Sequence, residues 1–194
     1  MAQRASTSTN PQPGAEGEII NELYFTGQGD PATSASRSDT TETSPSYTSS
    51  TLSTFRKAPE PRSLSVTYNE QFVVAFLDWA LGVHLGSVIK GADREPMTNL
   101  VAPGSSDRAR SFKSGRAGKE KFEWRRVGNK HPFGYELFSM DTESRIARYD
   151  PTPRNLPKVG RAYALLEYGF HEDNLIRDAL LALCLNRWID WRGM

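Results

Sequence analysis

The stretch Glu172-Asp173-Asn174-Leu175-Ile176-Arg177-Asp178-Ala179-Leu180-Leu181-Ala182-Leu183-Cys184-Leu185-Asn186-Arg187-Trp188-Ile189-Asp190-Trp191-Arg192 decides the fold. Asp173 or Asn174 can cap a helix start, because a short side-chain oxygen accepts from the free N–H groups of the first turn. Acids stand in the first turn and Arg187 and Arg192 near the last, the charge order a helix dipole favours. Gly193 then supplies a C-terminal stop. These signals predict a helix over 173–192. Its middle is unusual: Ala179 to Leu185 are seven apolar residues in a row. A surface helix carries an apolar stripe, whereas a helix apolar all round is buried all round. Asp178 and Asn186 bracket the run, which is far short of the ~20 residues a bilayer requires. The helix is therefore expected inside the protein, with the rest of the chain as its sheath.

The segment before it reads as that sheath. Lys121 to Val127 alternates, with Phe122 and Trp124 on one face and Lys121, Glu123 and Arg125 on the other. Gly128 to Pro132 reads as a turn, and Tyr135 to Met140 as the next strand. Arg145 to Tyr149 and Gly160 to Tyr168 follow, separated by an Asp-Thr-Glu-Ser turn and a Pro-rich loop over 150–157. Strands at this spacing, joined by short turns, predict an antiparallel meander. Followed by an apolar helix, they predict a mainly β fold with α, an antiparallel β-barrel curled around the hydrophobic C-terminal helix.

Upstream the signals weaken. Leu64 to Tyr68, Val83 to Ile89 and Met97 to Val101 are short β-type runs. Phe72 to Leu85 reads equally as a strand or as an amphipathic helix, since Phe72, Phe76, Trp79 and Val83 lie near helical spacing while Gly82 and Gly86 oppose it. Residues 103–119 read as a polar, basic loop. Residues 1–62 are dominated by Ser, Thr, Pro, Gly and Gln and are expected to form a disordered tail, because they cannot bury enough apolar surface to offset ordering entropy. Ile19 to Phe25 interrupts that composition, so a segment near 19–26 is either a docked first strand or a linear motif. The domain proper is expected over 63–194.

The chain has 194 residues, 37% hydrophobic and 24% charged, with net charge +1. So small a basic excess argues against nucleic acid as a partner. Cys184 is the only cysteine, which excludes an intrachain disulfide framework and points to an intracellular, cytoplasmic or nuclear setting. The N-terminus lacks the apolar region of a signal peptide, and neither myristoylation nor prenylation signals are present.

Several C-terminal features occur in a distinctive order: Phe122-x-Trp124-Arg125, Tyr135-Glu-Leu-Phe138, Ile146-Ala-Arg-Tyr149, Lys158-x-Gly160, and a Leu/Ala-rich helix containing Asn174-Leu-Ile and Ala179-Leu-Leu-Ala-Leu. Over residues 112–192 the chain resembles a family of uncharacterised fungal proteins with a tubby C-terminal-like domain, related in shape to phospholipid scramblases and plant LURP-type proteins. The resemblance implies a closed antiparallel barrel around a hydrophobic C-terminal helix, and it supplies no catalytic residues. Leu23-Tyr-Phe…Asp30-Pro31 is similar to the strand with which family members open.

No phosphate-binding glycine loop, zinc-protease motif or nucleophile elbow is present. His84, His131 and His171 are scattered, without metal-ligand spacing. Cys184, inside the apolar run, reads as packing. The chain therefore reads as a non-enzymatic module without a cofactor. One feature is a candidate to carry a function: Lys113, Arg116, Lys119, Lys121, Arg125, Arg126 and Lys130 form a basic strip, which Arg148, Arg154, Lys158 and Arg161 would extend. Anionic headgroups attract such clusters by about 1 kcal/mol per Lys or Arg near the surface. The strip is the candidate site for anionic membrane lipids. The competing readings are a solvated loop that keeps the fold soluble, or a protein partner engaged with a regulated tail.

Overall fold

The computed structural model describes residues 21–25, 36–37, 47–51, 63–68, 72–80, 84–114, 120–157 and 160–193. Its strands are β1 (Asn21–Phe25), β2 (Ser36–Arg37), β3 (Tyr47–Thr51), β4 (Ser63–Tyr68), β5 (Phe72–Asp78), β6 (Ser87–Lys90), β7 (Asp93–Pro96), β8 (Ala102–Pro103), β9 (Ala109–Ser114), β10 (Glu120–Val127), β11 (Gly134–Ser139), β12 (Arg145–Asp150), β13 (Arg154–Leu156), β14 (Gly160–Ala162) and β15 (Ala164–Tyr168). A single α-helix, α1 (Asp173–Arg192), ends the chain. Eight strands form one antiparallel sheet in the order β2-β1-β15-β12-β11-β10-β9-β8. Five more form a second in the order β3-β4-β5-β6-β7, and β13 pairs with β14 in a small ribbon.

The expected meander is there as β10, β11, β12 and β15, each hydrogen-bonded to the next. The helix occupies the predicted span, and Ala179 to Leu185 are all buried. Two cores explain how it can be apolar all round. Leu175, Ile176, Ala179, Leu180, Ala182 and Leu183 pack with side chains of the eight-stranded sheet, among them Trp124, Leu137 and Tyr149. Leu181, Cys184, Leu185, Trp188 and Ile189 pack with Ala75, Leu77, Trp79, Val88 and Met97 from the region of the five-stranded sheet. Trp79 and Trp188 stack at 4.3 Å between ring centroids. The helix lies between two sheets, and each sheet covers one flank.

The sheath is not a closed barrel. The larger sheet ends at β8 and the smaller at β7, with a 3-10 turn at Met97–Asn99 between them. Pro96 ends β7 and Pro103 ends β8. Proline has no N–H to continue a ladder, so the seam between the sheets stays open. That turn also replaces the β-run expected over Met97 to Val101.

Other expectations are corrected or settled. Residues 1–62 are not wholly a tail. β1 pairs with β15, making 21–25 a docked first strand, β2 pairs with β1, and β3 pairs with β4. The sheets therefore begin before residue 63, and the remainder of 1–62 lies outside the described residues. Phe72–Asp78 is a strand. The loop expected over 103–119 contains β9, whose buried faces include Ser111 and Ser114. The serines are satisfied by hydrogen bonds rather than by being apolar: Ser111 donates to the Pro103 carbonyl at 3.3 Å and Ser114 to Asp178 at 2.8 Å. At the helix start the N-cap is Glu172, without a side-chain capping bond, rather than Asp173 or Asn174. Gly193 does end the helix, at φ 68°, with its N–H donating to the Ile189 carbonyl.

Candidate functional site

Strand alternation divides the basic strip between two faces of the large sheet. Arg126 shares the parity of Phe122 and Trp124 and points toward the helix. Its Nη1 lies 3.3 Å from Asp190 Oδ1, and its guanidinium stacks on Phe133 at 4.5 Å. Arg110, on β9, donates to the same carboxylate oxygen at 3.0 Å, and Tyr135 OH donates to the other at 2.8 Å. The Asp190 side chain is 3% exposed, so this cluster anchors the C-terminal half of the helix to three strands. Burial, reinforced by the Asp190 charge and hydrogen bond, pushes the Tyr135 phenol far above its ordinary range. Burial likewise pushes Tyr149 up to about 12, against the opposing pull of Arg187, whose guanidinium lies over its ring at 4.6 Å. Near the middle of the helix, Trp124 Nε1 donates to the Ala179 carbonyl at 3.0 Å.

On the opposite face lie Lys121, Glu123 and Arg125. Glu123 is 1% exposed, beneath the loop that carries Ser105. Ser105 donates to it from both its N–H and its hydroxyl, each at 2.7 Å, and Arg125 Nε does so at 2.7 Å. Burial alone would raise the Glu123 pKa, but these bonds outweigh it and hold the carboxyl below its ordinary value. Gly104 permits the close approach, because a Cβ there would fall 2.7 Å from Glu123 Oε2 and 2.6 Å from the Ala109 carbonyl carbon. Arg125 also lies over Phe138 at 4.1 Å, so its charge is already committed.

The expected strip therefore does not converge as one surface. Arg116 and Lys119 lie outside the described residues. Lys130 is exposed in the turn after β10, about 20 Å along the strand from Lys121. Of the predicted extension, Lys158 is not described, Arg154 pairs with Asp150 at 2.6 Å, and Arg161 stacks on Tyr163 at 5.1 Å. Among the described residues of the strip, only Lys113 and Lys121 are brought together. They are direct cross-strand partners on β9 and β10, and both are exposed.

These two lysines stand at the mouth of a cleft of about 610 Å³. The cleft occupies the seam between the two sheets, above the N-terminal half of the helix. Its lining includes four cations, Lys90, Lys113, Lys121 and Arg177, and two carboxylates, Glu95 and Asp178. Both carboxylates are engaged: Lys90 Nζ lies 2.8 Å from Glu95, and Arg177 lies 3.0 Å from Asp178, which also accepts from Ser114. Lys113 and Lys121 have no acidic partner among the described residues. Sequence reading missed Lys90 and Arg177, because they reach the site from β6 and α1, far away along the chain.

Among the described residues no group of three His, Cys, Asp or Glu side chains could hold a metal ion, and no helix is long and apolar enough to cross a membrane. His84, His131 and His171 are all exposed. Comparison of the chain with protein-family models, curated proteins and solved structures found no match.

Proposed function

We propose that this chain is a non-enzymatic, intracellular module that binds anionic phospholipid headgroups at a membrane surface through Lys113 and Lys121. The observation that carries the reading is their pairing. Like charges directly opposite on adjacent strands destabilise a sheet by roughly 0.2–1 kcal/mol. Here no acidic partner among the described residues relieves that cost, beside a cleft whose carboxylates are already engaged. A phosphate or carboxylate group between the two ammonium groups converts repulsion into attraction, at about 1 kcal/mol for each lysine. Membership of the tubby C-terminal-like family belongs to the same proposal, supported by the apolar helix held within antiparallel sheets.

Co-sedimentation with vesicles tests it. Phosphatidylcholine vesicles containing phosphatidylserine or phosphoinositide should pull the chain down at low salt, and rising salt should release it. Pure phosphatidylcholine should not retain it, and Lys113→Gln with Lys121→Gln should abolish retention. Failure to bind either anionic vesicle at low salt would overturn the proposal.

A further inference from the structure

The cleft beside Lys113 and Lys121 is more than a charged rim. Its apolar floor is made by Leu100 and Val101, which are half-buried, and by Ala102 and Pro103, which are exposed. The volume of about 610 Å³ falls within the roughly 300–1,000 Å³ typical of small-molecule sites. Headgroup contact alone would use the rim and leave the floor wet.

We infer that the cleft takes one single-chain anionic amphiphile, a fatty-acid-like or lysophospholipid-like molecule. Its acidic head lies between Lys113 and Lys121, and its alkyl chain lies over Leu100, Val101 and Pro103. This inference rests on the headgroup reading and narrows it from a membrane face to a seated molecule. Charge complementarity selects the head, because two exposed ammonium groups without an acidic partner among the described residues line the cleft. The seam selects the tail. It is bordered by Pro96 and Pro103, which cannot donate to an added strand. An alkyl chain has no backbone groups to satisfy, so it can fill the gap where a peptide would leave polar atoms unpaired.

The test is calorimetric titration of the full chain with alkyl phosphates of increasing length, kept below their micelle concentrations, beside inorganic phosphate and alkyl alcohols. Affinity should rise about two- to fourfold for each methylene added until the floor is covered. Inorganic phosphate and the alcohols should bind far more weakly than the long alkyl phosphate. Lys113→Gln with Lys121→Gln should weaken every alkyl phosphate roughly thirtyfold. Ala102→Glu provides a second variant: Ala102 is exposed and lines the cleft, so the new carboxylate should repel the head without disturbing the core. Affinity independent of chain length, or an alcohol binding as tightly as its phosphate, would overturn the inference. Anionic vesicles supply the distinguishing arm. Vesicle binding without chain-length dependence removes the seated molecule and leaves the headgroup reading standing, whereas loss of both removes both.

Discussion

Replacing Asp190 by asparagine should be among the most damaging isosteric changes in the protein. Asp190 accepts from Arg110 at 3.0 Å and Tyr135 at 2.8 Å and lies 3.3 Å from Arg126. Asparagine keeps the shape and an acceptor for Tyr135, but it leaves two guanidinium groups side by side without a counter-charge. Removing one partner of a buried ion pair typically costs about 3–5 kcal/mol. Arg110 and Arg126 retain 17% and 22% side-chain exposure, so water relieves part of that cost. The expected loss is then about 2–3 kcal/mol, rising by about 1 kcal/mol in Asp190→Ala, where Tyr135 also loses its acceptor. For a domain of this size the asparagine variant should melt roughly 4–12 °C lower. Urea unfolding followed by tryptophan fluorescence measures it, since Trp79, Trp124 and Trp188 are buried around the helix. The midpoint should fall with little change in slope. Added salt should barely alter the difference, because buried pairs are weakly screened. A loss within about 0.5 kcal/mol, the range of an ordinary surface substitution, would refute the reasoning.

Further outcomes follow from the same geometry. Leu181→Asp should abolish the folded state by burying an unpaired charge, while Leu181→Ala should cost about 2–5 kcal/mol; circular dichroism and urea titration distinguish the two. Glu123 and Asp150 both have folded-state pKa values held below their ordinary 4.5 and 3.8, so their stabilisation is present above those values and lost as pH falls through the lowered ones. Urea midpoints should therefore decline on acidification below 4.5, and Glu123→Gln should flatten that decline. Gly104→Ala should cost about 1–3 kcal/mol by forcing the loop off Glu123, and an unchanged urea midpoint would show that the loop does not depend on that close approach.

The helix was legible because all its signals but the cap, which is Glu172, agreed. Its end glycine, its length and its unbroken apolar run have one common physical solution, burial on all sides. The meander from Glu120 to Tyr168 was legible for the same reason, since alternating side chains fix both strand and face. β9 was not, because Ser111 and Ser114 are buried through hydrogen bonds to Pro103 and Asp178 that no local pattern announces. An apolar helix after a meander suggests a closed barrel, whereas Pro96 and Pro103 decide where the ladders stop. The basic strip was read as a run of charge when its parity already separated Arg126 from Lys121 and Arg125. Applying the period of two to the arginines as well as to the aromatics would have turned Arg126 inward. Nothing local could have brought Lys90 and Arg177 to the cleft, since that meeting depends on how both sheets pack on the helix.

The most direct measurement is a map of backbone amide chemical shifts on titrating the labelled chain with phosphatidylserine-containing nanodiscs. Binding at the cleft predicts shifts concentrated at 99–102, 111–114 and 121, with Lys130 and Arg148 unaffected. Shifts centred on Lys130 or Arg148, or none at low salt, would contradict it.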